Sequence, residues 1–267
     1  MTREEKLLKA VNQEARGIEI GPSHNPVAPK RMGFRVSIID TLSRDGLVEK
    51  YKSHGVNLDN IEEVDYVWRG ERYPDLIGER NSFGWILASH VIEHSPDIVA
   101  FLRDCEDMLD SNGVLSLAVP DKRFCFDHFR PASGLANVLD SHFAKRVNHT
   151  SGSIVEFMIN AVSKGGQIAW SADQPGDFKF LCGTDEVLAH LRQSLEAPVN
   201  LDVHAWCFTP ASFRLLIHDL NLLGLTTLRP ILSFPTEGHE FFVTLGKTSA
   251  VPNEDRLELV RAVASEE

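Results

Sequence analysis

The sequence predicts an α/β fold in which a mostly parallel sheet carries helices on both faces. Three observations predict it. Short apolar strands alternate with helical stretches over residues 17–120, the pattern of parallel strands joined by right-handed crossovers. Two of these strands close on carboxylates, Glu19 next to the end of the first and Asp40 at the end of the second. The first also runs straight into the turn Gly21-Pro22-Ser23-His24-Asn25-Pro26. Adjacent strands that bring acids and a tight turn to one sheet edge form a nucleoside-sized crevice.

Composition narrows the function classes. The chain has 267 residues, 43% of them apolar and 24% charged, which suits one large soluble domain or a domain with an insertion. A formal net charge of −11 argues against a general nucleic-acid binder, which needs basic surface against phosphates. Cys105, Cys125, Cys182 and Cys207 are scattered, with no Cys-x-x-Cys pair, so they read as reduced thiols and not as a disulfide frame or zinc site. The charged start of the chain is unlike a signal peptide, and no long apolar run occurs. A cytoplasmic protein with no membrane segment is expected.

Residues 2–15 have helical spacing, with Leu7, Leu8 and Val11 on one face. After the first strand, residues 27–33 make a short crossover rich in Pro and basic residues, and a second strand spans 34–40. A helix over 42–54 and a third strand over 61–68 follow. The loop holding Gly70, Pro74 and Gly78 leads into the fourth and most apolar strand, 83–89. Residues 97–109 carry a helical stripe that Ser111-Asn112-Gly113 is expected to stop, and strand five, 114–119, closes at Pro120.

The rhythm breaks over residues 121–207, which read as three helices (135–146, 153–163, 185–195) among Gly/Pro loops. It resumes at Thr209-Pro210, an N-cap followed by proline in the first turn, with a helix ending at Gly224. Strands over 225–232 and 240–245 are expected to pair antiparallel at the sheet edge. The tail is a polar helix with Leu257, Val260 and Val263 in a thin stripe. This divides the chain into a core (1–120 and 208–247), an insertion that forms a substrate-recognition lid (121–207) and a helical tail (248–267).

Together these features resemble the class I S-adenosylmethionine-dependent methyltransferases, over residues 17–120 and 209–247. Glu19-Ile20-Gly21 is similar to that family's first motif, and Asp40 to the acid that holds the ribose hydroxyls. Residues 88–94 (Ala-Ser-His-Val-Ile-Glu-His) resemble the segment along the cofactor, and 108–115 the turn into strand five. The resemblance implies a Rossmann-like seven-stranded sheet with a mainly helical insertion after strand five, and S-adenosyl-L-methionine as cofactor. Carboxylates at strand ends suit a ribose diol and an ammonium group. The Gly-x-Gly-x-x-Gly of dinucleotide sites is absent. Two departures stand out. Ser23 and Asn25 replace customary glycines, and Arg69 replaces an acid that contacts adenine, which leaves the main chain at Gly70 to hold the base.

The resemblance therefore assigns cofactor binding to Glu19, Gly21, Pro22, Asp40, Gly70, Ser89, His90 and Val91. The position of the insertion at the carboxyl edge assigns the acceptor side to Asp121, His128 and His204, with a histidine near its free pKa of about 6.5 serving as base. The expected reaction is methyl transfer to an oxygen or nitrogen of a small polar acceptor, sugar or amino-acid-like. A homodimer is left open. His90-Val91-Ile92-Glu93-His94 also spells the inverted zinc-protease signature. Some ubiquinone-pathway methyltransferases carry a Glu-x-x-Glu-His metal site at this place, and here His90 stands where their first glutamate does. Because Ser95-Pro96 interrupts any helix, Glu93 and His94 are expected to be structural and no metal is expected. The different readings kept open are a non-catalytic cofactor-binding domain and a metal-dependent hydrolase using His90, Glu93 and His94.

Overall fold

Trp85 lies across Gly17 so closely that a Cβ there would sit 2.0 Å from the indole ring, and this contact seats the first strand against its neighbour. The protein is described from a computed structural model, for residues 1–196, 201–250 and 252–266. Strand β1 (Gly17–Ile20) pairs in parallel with β2 (Val36–Asp40) on one side and with β4 (Phe83–Ser89) on the other. The short β3 (Tyr66–Val67) extends the β2 edge, and β5 (Leu109–Pro120) runs parallel to β4. Beyond the insertion, which carries its own small hairpin β6 (Val162–Lys164) and β7 (Phe178–Phe180), come β8 (Leu228–Glu237) and β9 (Glu240–Lys247). β9 inserts antiparallel between β5 and β8, so the seven-stranded order is β3-β2-β1-β4-β5-β9-β8.

The alternation of side chains divides the core in two. Ile86 and Ala88 of β4 and Leu115, Leu117 and Val119 of β5 face helices α4 (Ile98–Met108) and α8 (Pro210–Leu222). Trp85 and Leu87, with Val114 and Ala118, face the opposite side. That side is covered by α1 (Arg3–Leu7) and by the irregular segment holding Val27 and Ala28. The crossover between β1 and β2 has only a single 3₁₀ turn, Lys30–Met32, because Pro22, Pro26 and Pro29 remove donors a helix would need.

Several element boundaries differ from expectation. The N-terminal helix ends at Leu7, far short of residue 15, although Thr2 and Glu5 form a full capping box. It packs on the sheet, where Ser116 Oγ donates to the Leu7 carbonyl at 2.7 Å. The third strand is two residues long. The loop around Pro74 is a one-turn helix, α3 (Tyr73–Ile77), with proline in its first turn and Gly78 as left-handed C-cap. Helix α4 stops at Met108, before Ser111-Asn112-Gly113, and the chain enters β5 directly. Gly113 is needed for another reason, since a Cβ there would lie 2.8 Å from the Phe83 carbonyl oxygen.

Helix α2 (Arg44–Tyr51) lies within its expected span, and α5 (Leu135–Phe143), α6 (Ser151–Asn160) and α7 (Thr184–Glu196) fall close to theirs. The β6–β7 hairpin is an addition. In the tail helix α9 (Arg256–Glu266), Leu259 is the buried residue, while Leu257 and Val260 of the expected stripe are exposed. Among the described residues no helix is long and apolar enough to cross a membrane.

Candidate active site

The carboxyl ends of β1, β2 and β4 open onto a groove of about 470 Å³. Its floor is the turn after β1. Gly21 takes φ 63° and donates to the Ile39 carbonyl at 2.8 Å, tying the turn to β2. A Cβ at Gly21 would meet Val91 Cγ2 at 2.9 Å, so the bare backbone keeps this end of the groove open. Asp40 Oδ2 accepts from the Ser23 amide at 3.1 Å and Oδ1 from the Thr41 amide at 2.7 Å. Burial raises the Asp40 pKa above the usual value despite those two bonds. Trp68, Tyr73 and Phe101 form an aromatic wall, with ring centroids 5.7 Å apart for Trp68–Tyr73 and 6.2 Å for Tyr73–Phe101.

Of the eight expected cofactor residues, Gly21, Asp40, Gly70 and Val91 line this groove. The other four do not. Glu19 is turned beneath it, its carboxylate accepting from the amides of Val27 at 2.6 Å and Ala28 at 3.1 Å. Burial pushes that carboxyl up to about 7 against both bonds. Glu19 thus holds up the largely irregular crossover between β1 and β2. Pro22 lies in the turn outside the lining. Ser89 Oγ accepts from Arg3, and His90 Nε2 lies 2.9 Å from Glu240, so both belong to a clasp between α1, β4 and β9. His90 holds φ 54°, a left-handed conformation that costs a residue with a Cβ free energy.

The structure does not bring Asp121, His128 and His204 together. Asp121 is fully buried, accepts two bonds from the Arg123 side chain at 2.9 and 2.6 Å, and takes another from Thr236 at 2.6 Å. His128 places Nδ1 2.7 Å from the Arg123 carbonyl and stacks on Phe178 in the β6–β7 hairpin. Only His204 reaches the segment after β4. The amides of Ala205 and Trp206 both donate to the Glu93 carbonyl, at 2.8 and 3.2 Å, and this pins His204 beside Glu93 and His94. His204 Nδ1 lies 2.5 Å from Asp127, whose other oxygen accepts from buried Arg130 at 2.7 Å. Burial opposes ionisation of Asp127, but His204 and Arg130 outweigh it and hold its carboxyl below the ordinary range.

A second cavity of about 460 Å³ adjoins the groove, sharing Pro96 and Arg146 with it. It is lined by polar groups, among them Asn137, His149, Ser153 and Glu156, and by Ala205 and Trp206. His149 Nδ1 is buried there without a hydrogen-bond partner among the described residues. The sequence reading missed Trp68, Tyr73, His94 and Arg146 as lining residues. Trp68 carried a readable signal, an aromatic ending the third strand beside Gly70. Arg146 carried none, since only tertiary folding brings the loop after α5 to the groove.

No family model matches the chain, and no curated protein matches it. Among solved structures, the CcbJ methyltransferase from Streptomyces caelestis superposes with a TM-score of 0.47 at 13% identity, over 92% of this chain and 89% of that one. A protein described as a zinc-dependent alcohol dehydrogenase from Rhodobacter sphaeroides gives 0.48 at 12% identity over the same shares. An S-adenosylmethionine-dependent methyltransferase from Thermotoga maritima gives 0.36 at 16%, over 92% and 88%. Likenesses this loose carry no argument about activity. The strand order with its antiparallel β9 is what decides the architecture. The fold is of the class I methyltransferase type.

Proposed function

We propose that this protein is an S-adenosylmethionine-dependent methyltransferase acting on an oxygen or nitrogen of a small polar acceptor. The observation that carries the reading is Asp40. Its carboxylate stands at the floor of a groove of nucleoside size, oriented by the Ser23 and Thr41 amides and backed by a turn too tight for a Cβ at Gly21. That arrangement fits a ribose diol, because an ionised acid accepts strong hydrogen bonds from hydroxyls. The aromatic wall of Trp68, Tyr73 and Phe101 fits a planar base, and Gly70, with φ 109°, leaves main chain free to contact it.

S-adenosylmethionine, when bound, supplies the methyl group. The chain's own residues bind and orient. Asp40 fixes the nucleoside end, and Val91 and the Gly21 backbone narrow the passage toward His94, Ser95 and Pro96. Of these, Pro96 also borders the polar cavity, where the Arg146 guanidinium would donate hydrogen bonds to an acceptor and His149 Nδ1 would pair with it. Holding two reactants in line can itself remove about 7–11 kcal/mol of the barrier to such a reaction.

Calorimetry with S-adenosylhomocysteine tests the reading directly. The folded protein is expected to bind it, and Asp40→Ala to weaken binding by about 1.5–3 kcal/mol, the scale of a charge-assisted hydrogen bond. Folded wild-type protein that shows no binding would sink the proposal.

A further inference from the structure

Glu93 is 1% exposed, and neither carboxylate oxygen has a hydrogen-bond partner among the described residues. A buried carboxylate left alone is costly, so its surroundings need an explanation. Three histidines turn a ring nitrogen toward the same oxygen, Oε1: His90 Nδ1 at 3.6 Å, His94 Nε2 at 3.9 Å and His204 Nε2 at 3.9 Å. These distances are too long for hydrogen bonds. They leave a space between the four groups. One ligand atom each from Glu93, His94 and His204 lies within 4.8 Å of the others.

The far side of each ring is equally telling. His90 Nε2 is 2.9 Å from Glu240, His94 Nδ1 is 2.9 Å from Asp202, and His204 Nδ1 is 2.5 Å from Asp127. His90 and His204 are thus each hydrogen-bonded to a carboxylate on one nitrogen, and His94 Nδ1 lies beside a carboxylate without a hydrogen bond to it. His94 and His204 offer the other nitrogen to a centre shared with Glu93. That is the arrangement in which a carboxylate orients a metal-ligating histidine and raises its basicity. Four separate stretches of chain (90–94, 127, 202–204 and 240) supply these rings and their carboxylates, so helix periodicity does not account for it.

We propose that Glu93, His94 and His204 bind one divalent first-row transition cation such as zinc or manganese, three protein ligands that leave a coordination position open. The borderline nitrogen set selects this class over magnesium or calcium, which favour oxygen. This replaces the expectation of no metal. His94 also lines the cofactor groove, and Ala205 and Trp206, next to His204, line the polar cavity. An ion there stands between the two and would take a hydroxyl oxygen of the acceptor, favouring its deprotonation as it does for bound water. An alcohol or phenol acceptor is therefore expected over an amine. This last step rests on the methyltransferase reading. The metal site does not.

The test uses the full chain, stripped with chelator and then titrated by calorimetry with zinc, manganese and magnesium in separate runs. S-adenosylhomocysteine is titrated in parallel. One zinc or manganese per chain is expected, with a rise in melting temperature. His204→Ala and Glu93→Gln should each lower affinity at least tenfold, and Asp127→Asn by roughly 10- to 100-fold. Because Glu93 is buried, His94→Ala, with its ring 30% exposed, guards against a folding defect, and His54→Ala should bind as wild type. Metal binding without S-adenosylhomocysteine binding would uphold the site and defeat the methyltransferase reading. S-adenosylhomocysteine binding with no metal, or with magnesium alone, would overturn the site.

Discussion

The Ser23 amide donates to the Asp40 carboxylate at 3.1 Å while Ser23 itself holds φ 54°. A residue with a Cβ stands here in the left-handed region that favours glycine, and the turn forms nonetheless, because that bond and the Gly21 amide bond to Ile39 fix its path. Asn25 is absent from the left-handed residues. The strain sits at position 23.

Ser23→Gly should therefore stabilise the protein. A left-handed conformation costs a non-glycine residue about 1–2 kcal/mol, and glycine returns part of that as unfolded-state entropy. The Ser23 hydroxyl has no hydrogen-bond partner among the described residues to lose. Urea denaturation should show a gain of about 0.5–1 kcal/mol. A loss of stability would mean that the Ser23 hydroxyl contributes to holding the turn.

Gly17→Ala is expected to be severely destabilising. The new Cβ would fall 2.0 Å from the Trp85 ring, which is fully buried in the core on that face of the sheet and cannot swing away. Overpacking of this kind costs about 1–3 kcal/mol, and this contact belongs at the upper end. The double variant Gly17→Ala/Trp85→Leu should recover part of the loss. Equal stability of the single variant and wild type would show that the strand shifts freely.

Glu19 makes stability depend on pH in an unusual direction for an acid. Burial raises its folded pKa from 4.5 to about 7, so the folded state holds the proton more tightly than the unfolded one. The associated stability is fully present below about pH 4.5 and is lost as pH rises through 7, an effect of a few kcal/mol at most. Glu240 runs the other way. Burial raises it, but His90 and Arg3 outweigh burial and hold it at about 2, so its contribution is lost as pH falls from 4.5 toward 2. Denaturation at pH 5 and pH 7.5 should show the wild type weaker at the higher pH, and Glu19→Gln should flatten that difference. An unchanged slope in the variant would remove Glu19 as the cause.

The sequence by itself determined the sheet and its crevice. Fully apolar strands such as 83–89, an N-cap with proline at Thr209-Pro210 and an acid at Asp40 are local signals, readable because period and capping act over a few residues. The boundaries that failed, at α1, α3 and α4, turned on packing against the sheet, which local pattern does not encode. The site residues divide the same way. Asp40, Gly21, Gly70 and Val91 lie at strand ends whose position follows from topology. Glu19 and Ser89 also lie near strand ends, yet the fold turns one under the crossover and gives the other to Arg3. The meeting of His204 with Glu93 and His94 was beyond reach of any motif, because 110 residues of chain separate them and tertiary contacts, among them the Ala205 and Trp206 amides on the Glu93 carbonyl and the Trp206 indole on the Ser95 carbonyl, bring them together. A carboxylate's role depends on which donors the folded chain presents to it, and that is decided by contacts distant in sequence.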